Sequence, residues 1–280
     1  METVQLEVGD LTFDALVDGP TDGRLVLLLH GFPQSGWSWR HVMAALASAG
    51  CRVVAPDQRG YSPGARPDDV SAYAMSSLVS DAVGMLQALD ADRADVVGHD
   101  WGAAVAWQLA GRHPELVRTL TAVSVPHPLA FVEALRTDED QRAKSQYMLF
   151  FQQEGVAEDA LLDNDAAGLR AVFAGSGSTV DIDRYVALMS EPGVLTKALN
   201  WYRNQNLDDI RDLGPTTVPT LYVWSDDDLA LGPVAAHDTA AHVTGPYRFE
   251  VLHGVSHWVP EQAHGELSTW VLEHLEAHPG

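Results

Sequence analysis

The chain has 280 residues, with 39 Asp or Glu against 17 Lys or Arg, a formal charge of −22. That length suits one large domain, or a core with an inserted subdomain, and 46% hydrophobic with 20% charged residues is a globular balance, not a disordered one. The acidic excess repels phosphate backbones and anionic head groups, which argues against nucleic acid or a membrane surface as a main partner.

Cys51 is the single cysteine, so no intramolecular disulfide framework is possible and a reducing compartment is expected. The opening Met1-Glu2-Thr3-Val4-Gln5-Leu6-Glu7 has neither the basic nor the apolar region of a signal peptide. No apolar run approaches the ~18 residues of a transmembrane helix. A cytoplasmic protein is the expectation.

In chain order, Val4–Val8 and Leu11–Val17 read as strands joined at Gly9-Asp10, a hairpin dipeptide. Leu25–Leu29 is an uninterrupted apolar run of the kind found in a strand buried on both faces. A helix is expected from about Ser38 to Ala49, a strand over Arg52–Ala55, a helix over Met75–Leu89 and a strand over Ala94–Val97. Trp101–Arg112 is helical by composition, and His113-Pro114 ends it before a strand at Leu120–Val123. Such alternation predicts a mostly parallel sheet covered by helices on both faces. Between about His127 and Gly214 the pattern breaks into helical periodicity without a strand; Pro219–Trp224 and Arg248–Leu252 restore the strand signal, and a last helix covers Gly265–Ala277. The expected organisation is an α/β core over 1–126 and 215–280, interrupted by a helical lid over 127–214 near the carboxyl ends of the strands, where ligands sit in open α/β sheets.

The chemistry centres on Gly98-His99-Asp100-Trp101-Gly102. A strand enters, a helix leaves at once, and small residues flank one polar side chain, the layout of a nucleophile elbow. Here the presented group is the carboxylate of Asp100, and the adjacent helix N-terminus favours its ionised form. An N-capping Asp is the competing explanation. Gly60-Tyr61-Ser62-Pro63-Gly64 imitates the pattern of a serine nucleophile, but Pro63 and Pro67 favour a loop, so Ser62 is rejected. Further along, Ser225-Asp226-Asp227-Asp228 follows one strand and His253-Gly254-Val255-Ser256-His257-Trp258 follows the last, giving the order nucleophile, acid, histidine. Twelve histidines and three adjacent aspartates leave the choice of Asp228 over Asp226 open at this level. After Leu25–Leu29, the turn His30-Gly31-Phe32-Pro33 offers a backbone N–H that could pair with that of Trp101 as an oxyanion hole.

These segments together resemble the α/β-hydrolase superfamily over nearly the whole chain and, more narrowly, the soluble epoxide hydrolases. The motifs are His30-Gly31-Phe32-Pro33, Asp57-Gln58-Arg59-Gly60-Tyr61, Gly98-His99-Asp100-Trp101-Gly102 and Gly254-Val255-Ser256-His257-Trp258, with two lid segments, Tyr147-Met148-Leu149-Phe150-Phe151-Gln152 and Asn200-Trp201-Tyr202-Arg203-Asn204. The resemblance implies an Asp100 nucleophile, a His257 base oriented by Asp228, and Tyr147 and Tyr202 pointing from the lid at an epoxide oxygen. On the residues alone both tyrosines are equally core aromatics, although Leu195, Ala198 and Leu199 share a helical face with Tyr202, and Pro192 sits where that helix could begin. The sequence departs from its relatives at Trp224-Ser225, where glycine is frequent, and at Ser62-Pro63-Gly64, where Gly-x-Ser is.

The expected activity converts a small apolar epoxide and water to a vicinal diol through an ester on Asp100, without metal or other cofactor. Phe32 and Trp101 would supply the oxyanion hole, and Trp37, Phe150, Phe151 and Trp201 the aromatic pocket. A haloalkane dehalogenase shares the Asp–His–Asp logic, but Phe32 stands where some dehalogenases carry a halide-binding amide, and a halide needs no proton from a tyrosine pair. A hydrolase-fold binding protein without turnover is the rival of another class. A monomer or homodimer is expected.

Overall fold

The computed structural model describes residues 1–205 and 208–279. Strands β1 (Glu2–Val8) and β2 (Leu11–Asp18) form the expected hairpin, with Val8 opposite Leu11. There follow β3 (Arg24–Leu29), α1 (Arg40–Ser48), β4 (Cys51–Pro56), α2 (Met75–Ala88), β5 (Ala94–His99), α3 (Trp101–Arg112) and β6 (Val117–Val123). Helices α4 (Pro128–Thr137), α5 (Glu139–Lys144), α6 (Gln146–Phe151), α7 (Val156–Val172), α8 (Ile182–Met189), α9 (Val194–Arg203) and α10 (Asp208–Arg211) lie between β6 and β7 (Thr220–Ser225). The chain closes with α11 (Pro233–Asp238), β8 (Tyr247–Leu252), α12 (Val259–Gln262) and α13 (His264–Ala277).

One eight-stranded sheet runs in the order β1-β2-β4-β3-β5-β6-β7-β8. Only the β1–β2 and β2–β4 pairs are antiparallel; the other five are parallel. The chain moves from β3 outward to β4 and then returns to place β5 on β3's other side. That reversal opens a crevice at the carboxyl ends of β3 and β5, the usual ligand position in such sheets.

The unbroken apolar run of β3 is explained by its two buried faces. Val26 and Leu28 join Val53, Val97 and Val223 against α1 and α13, whereas Leu27 and Leu29 join Val96 and Ala122 against α2 and α3. At the amino end of β5, fully buried Asp95 accepts hydrogen bonds from Arg24 Nε and Nη2 (2.6 and 2.7 Å), Arg118 Nη1 (2.7 Å) and Thr119 Oγ1 (2.7 Å). This cluster ties β3, β5 and β6 together at the end of the sheet away from Asp100. The outer strands carry charge: β1 exposes Glu2 and Glu7, and on β8 Arg248 bridges Glu250 (2.7 Å) and, on α13, Glu273 (2.8 Å).

Two local expectations are corrected. The segment expected to be helical from Ser38 begins as a 3₁₀ turn, Gly36–Trp39, capped by Ser35 Oγ accepting from Trp37 N–H; α1 proper starts at Arg40. Pro192 does not open α9 either, because Gly193 is its N-cap at φ +79°, a backbone geometry that glycine adopts without strain. Leu195, Ala198, Leu199 and Tyr202 are all buried, as their shared helical face requires. No helix among the described residues is long and apolar enough to cross a membrane.

Candidate active site

Asp100 occupies the one-residue turn between β5 and α3 with φ +52° and ψ −124°, a conformation that costs a non-glycine residue of order 1–3 kcal/mol. Its neighbours explain how the turn closes. A Cβ on Gly98 would lie 2.2 Å from the carbonyl oxygen of Gly102, and one on Gly102 would lie 2.0 Å from that of Leu29. Only glycines let the strand, the helix and β3 approach so closely. Gly31 does the same for the carboxylate itself, since a Cβ there would meet Asp100 Oδ1 at 2.2 Å. The Phe32 N–H, presented by the turn after β3, donates to Asp100 Oδ1 at 2.8 Å.

His257, in the loop after β8, places Nε2 3.4 Å from Asp100 Oδ2 and Nδ1 2.8 Å from Asp228 Oδ2. The other oxygen of Asp228 accepts from the N–H groups of Ala230 (2.8 Å) and Leu231 (3.0 Å), so this buried carboxylate is fully satisfied. Asp226 is directed elsewhere, to exposed His253 Nδ1 (2.6 Å) and the Gly254 N–H (2.9 Å). Among the three adjacent aspartates, geometry therefore selects Asp228 as the partner of His257.

Electrostatics follow from burial and proximity. Desolvation alone would push the Asp100 carboxyl up, but the hydrogen bond and charge of His257, with help from the Trp101 N–H, hold it below the usual carboxylate range. Asp228 is held down against burial in the same way, by the His257 charge and hydrogen bond and then by the Ala230 and Leu231 N–H groups. Burial opposes the charging of His257, yet the two carboxylates overcome it and raise its pKa to about 10. The resting site is thus an imidazolium between two carboxylates. The arrangement can attack a carbon with Asp100 and, once that carboxylate is neutralised, release the imidazole as a base.

Two cavities, of about 130 and 200 Å³, meet at this point: Asp100, Tyr147, Tyr202 and Ala230 line both. Tyr147 comes from α6 and Tyr202 from α9, with ring centroids 6.2 Å apart. Tyr202 stands edge-on to Phe32 (5.5 Å) and Trp101 (5.1 Å). Burial and then the Asp100 charge raise both phenol pKa values, so both hydroxyls stay protonated. Phe151 lines the second cavity and Trp201 the first, where the Trp201 indole N–H is anchored on the Arg59 carbonyl (2.9 Å).

Two expected pocket residues are not there. Trp37 lines neither cavity; its indole donates to Asp181 (3.1 Å) and lies under the guanidinium of Arg184 (4.3 Å). The 3₁₀ turn at Gly36–Trp39 aims it at the segment before α8. Phe150 also lines neither and packs beside Phe151, with centroids 6.0 Å apart. Ser62, rejected as nucleophile, is buried in a loop where its Oγ accepts from the Asp14 N–H (2.7 Å).

Sequence reasoning missed several partners. Buried His99 donates from Nε2 to the His257 carbonyl (2.8 Å), fixing the backbone of the histidine loop, and desolvation lowers its pKa to about 3, which keeps it neutral. His30 accepts from the Gln58 N–H at Nε2 (3.0 Å) and shapes the turn that presents Phe32. Glu261, fully buried four residues after His257, gathers Gln34 Nε2 (2.5 Å), Arg40 Nη1 (2.5 Å), the Tyr185 hydroxyl (3.0 Å) and the Asp181 N–H (3.3 Å). His99 and His30 stood inside quoted motifs, but no periodicity marked their roles. Glu261 carried no local signal at all.

With this geometry in hand, comparison with known proteins places the chain. Residues 24–263 match the alpha/beta hydrolase fold family. The chain is 34% identical to epoxide hydrolase A of Mycobacterium tuberculosis over 297 residues, covering 92% of each. It is 33% identical to an AB hydrolase superfamily protein of Bacillus subtilis over 276 residues, 95% of each. Among solved structures it superposes on a Bacillus megaterium epoxide hydrolase in complex with an inhibitor with a TM-score of 0.89, at 27% identity and over 98% of this chain and 100% of that one. Epoxide hydrolase A from Mycobacterium thermoresistibile gives 0.84 at 29% identity, over 98% of each. The chain belongs to the α/β-hydrolase family, in its epoxide hydrolase branch.

Proposed function

We propose that this protein hydrolyses an epoxide to a vicinal diol by way of an ester on Asp100. The observation that carries the reading is the position of the Asp100 carboxylate, held at the elbow between the Phe32 N–H and His257 and sharing both cavities with Tyr147 and Tyr202. Oδ1 is engaged by the Phe32 N–H, which leaves Oδ2 to attack the epoxide carbon. The C–O bond that breaks leaves an alkoxide, a strong base, and Tyr147 or Tyr202 gives it a proton. The second half-reaction belongs to His257. Forming the ester removes the negative charge of Asp100, one of the two carboxylates that hold the imidazolium, so the histidine loses its proton to solvent and becomes a base. It then deprotonates a water that adds to the Asp100 carbonyl carbon while Asp228 stabilises the imidazolium again. The oxyanion forms on Oδ1, against the N–H groups of Phe32 and Trp101, each such donor being worth on the order of 3 kcal/mol. The oxyanion then collapses and the Cγ–Oδ2 bond breaks. The departing oxygen takes the proton of the new carboxyl group, so the diol leaves with the old Oδ2. Asp100 is a carboxylate once more with an oxygen from water, while the tyrosine recovers its proton from solvent.

The helices over 127–214 act as the lid in this reading, on a core of 1–126 and 215–280, since they bring Tyr147 and Tyr202 over the strand ends. The aromatic lining favours a small apolar substrate. The test is the intact mass of the His257→Gln variant after incubation with aryl and alkyl epoxides and haloalkanes. The expected result is a mass gain equal to the whole epoxide, lost when Asp100→Asn is added. A gain equal to an alkyl group without its halogen would reassign the protein to the dehalogenases. Normal turnover by His257→Gln, or no adduct with any reagent, would overturn the mechanism.

A further inference from the structure

The loop that carries Asp228 is held from outside the core. Gln141 on α5 is fully buried, and its side-chain amide acts toward this loop as a neighbouring strand would. Its Nε2 donates to the Ala230 carbonyl (2.8 Å), and its Oε1 accepts from the Gly232 N–H (2.8 Å). The same Nε2 also donates to Ser145 Oγ (3.0 Å), which locks the amide's orientation. One turn along α5, Lys144 Nζ donates to the carbonyl of Asp228 itself (2.8 Å). The Ala230 residue gripped by Gln141 is also the one whose N–H fixes Asp228 Oδ1. Two side chains of one short helix thus hold three backbone groups of the acid loop, and α6, which carries Tyr147, starts two residues after α5 ends.

Building on the proposed ester mechanism, we propose that Gln141, assisted by Lys144, is a positioning residue for the second half-reaction: it fixes Asp228, and through it His257, for attack of water on the ester. Ring opening does not depend on the clamp, because Asp100 is nucleophilic without a base. A buried amide that only filled space would influence both half-reactions alike.

The test separates the two steps. Gln141→Met keeps the volume and removes both loop bonds; Lys144→Met removes only the bond to the Asp228 carbonyl, and Lys144→Arg keeps a donor there. Single turnovers with an epoxide that labels His257→Gln are quenched and read by intact mass. In Gln141→Met the expected result is ester formation within about 3-fold of wild type and hydrolysis slowed by about 100-fold, the loss typical of a reacting group displaced by about 1 Å, so that the ester accumulates. Lys144→Met should show the same selectivity at smaller size, and Lys144→Arg should restore hydrolysis.

A pH profile of the hydrolysis step supplies a readout that loss of packing would not move. The groups facing His257 are Asp228, His99 and esterified Asp100. Loosening Asp228 weakens the support for the imidazolium, so the acid limb shifts to lower pH. Equal loss in both steps, or unchanged hydrolysis in Gln141→Met and Lys144→Met, overturns the clamp while leaving the ester mechanism intact. Absence of any adduct even in His257→Gln would instead bring down the mechanism on which the clamp rests.

Discussion

Removing the hydroxyls of Tyr147 and Tyr202 tests the electrophilic half of the proposed mechanism most directly. Tyr147→Phe and Tyr202→Phe preserve ring volume, so the aromatic contacts around Phe32, Trp101 and Phe151 persist. Both phenols have raised pKa values, through burial first and the Asp100 charge second. In the proposed reaction the second cause is lifted: as Asp100 bonds to carbon its charge disappears, and the phenols become better acids at the moment the alkoxide forms. Two donors at one oxygen back each other up. Each single substitution should therefore remove about one hydrogen bond, ~1–1.5 kcal/mol or roughly 10-fold in the alkylation rate. The double variant loses the proton donor altogether, and general acid catalysis is worth roughly 10²–10⁴-fold, or about 2.7–5.4 kcal/mol. Rapid-quench mass spectrometry of ester formation in a His257→Gln background isolates this step from hydrolysis. Because the hydroxyls stay protonated, wild-type ring opening should also show no alkaline fall-off below about pH 10. A double variant that alkylates within 10-fold of wild type would refute the reasoning, as would one single variant that reproduces the whole loss while the other is silent.

Other consequences are equally open to measurement. The His257 pKa is raised in the folded protein, so its contribution to stability is complete below about pH 6.5 and fades as pH rises towards about 10; melting curves of wild type and His257→Gln should converge across that window, and parallel curves would contradict the assignment. Gly102→Ala puts a Cβ 2.0 Å from the Leu29 carbonyl oxygen and should cost about 3 kcal/mol or more in urea unfolding, with loss of activity; a cost below 1 kcal/mol would mean that the elbow is not closely packed. Asp95→Ala leaves Arg24 and Arg118 facing each other over a buried gap and should destabilise the fold by about 3–5 kcal/mol, while the folded fraction keeps its alkylation rate, since Asp95 lies at the opposite end of β5 from Asp100.

What the sequence showed of this molecule was what repeats or punctuates. Apolar runs and their spacing located the strands, and Gly98 and Gly102 around Asp100 revealed the turn because close backbone approach leaves no other residue type. Trp37 illustrates the limit. Its type suited an aromatic pocket, but its direction was decided by a 3₁₀ turn and by Asp181, 144 positions away. Which of Asp226 and Asp228 faces His257 likewise depends on contacts the sequence does not mark, the Ala230 and Leu231 N–H groups that orient Asp228 and the His253 ring and Gly254 N–H that engage Asp226. Gln141, Glu261 and Asp95 stayed invisible for the same reason, since a buried polar residue is defined by partners distant in the chain and leaves no periodic trace.

The charged outer strands of the sheet bear on how the protein behaves when crowded. An edge strand with unpaired backbone groups is a template for intermolecular pairing, and parallel sheets form slowly enough to leave such edges open during folding. Glu2 and Glu7 on β1, and Arg248 and Glu250 on β8 with Glu273 of α13 beside them, would bring charge against any strand docked alongside. Two refolding molecules meeting edge to edge would crowd the β1 glutamates together or strip water from the β8 ion pairs, so the chain is built to resist aggregation at the two places where an open sheet is most exposed to it.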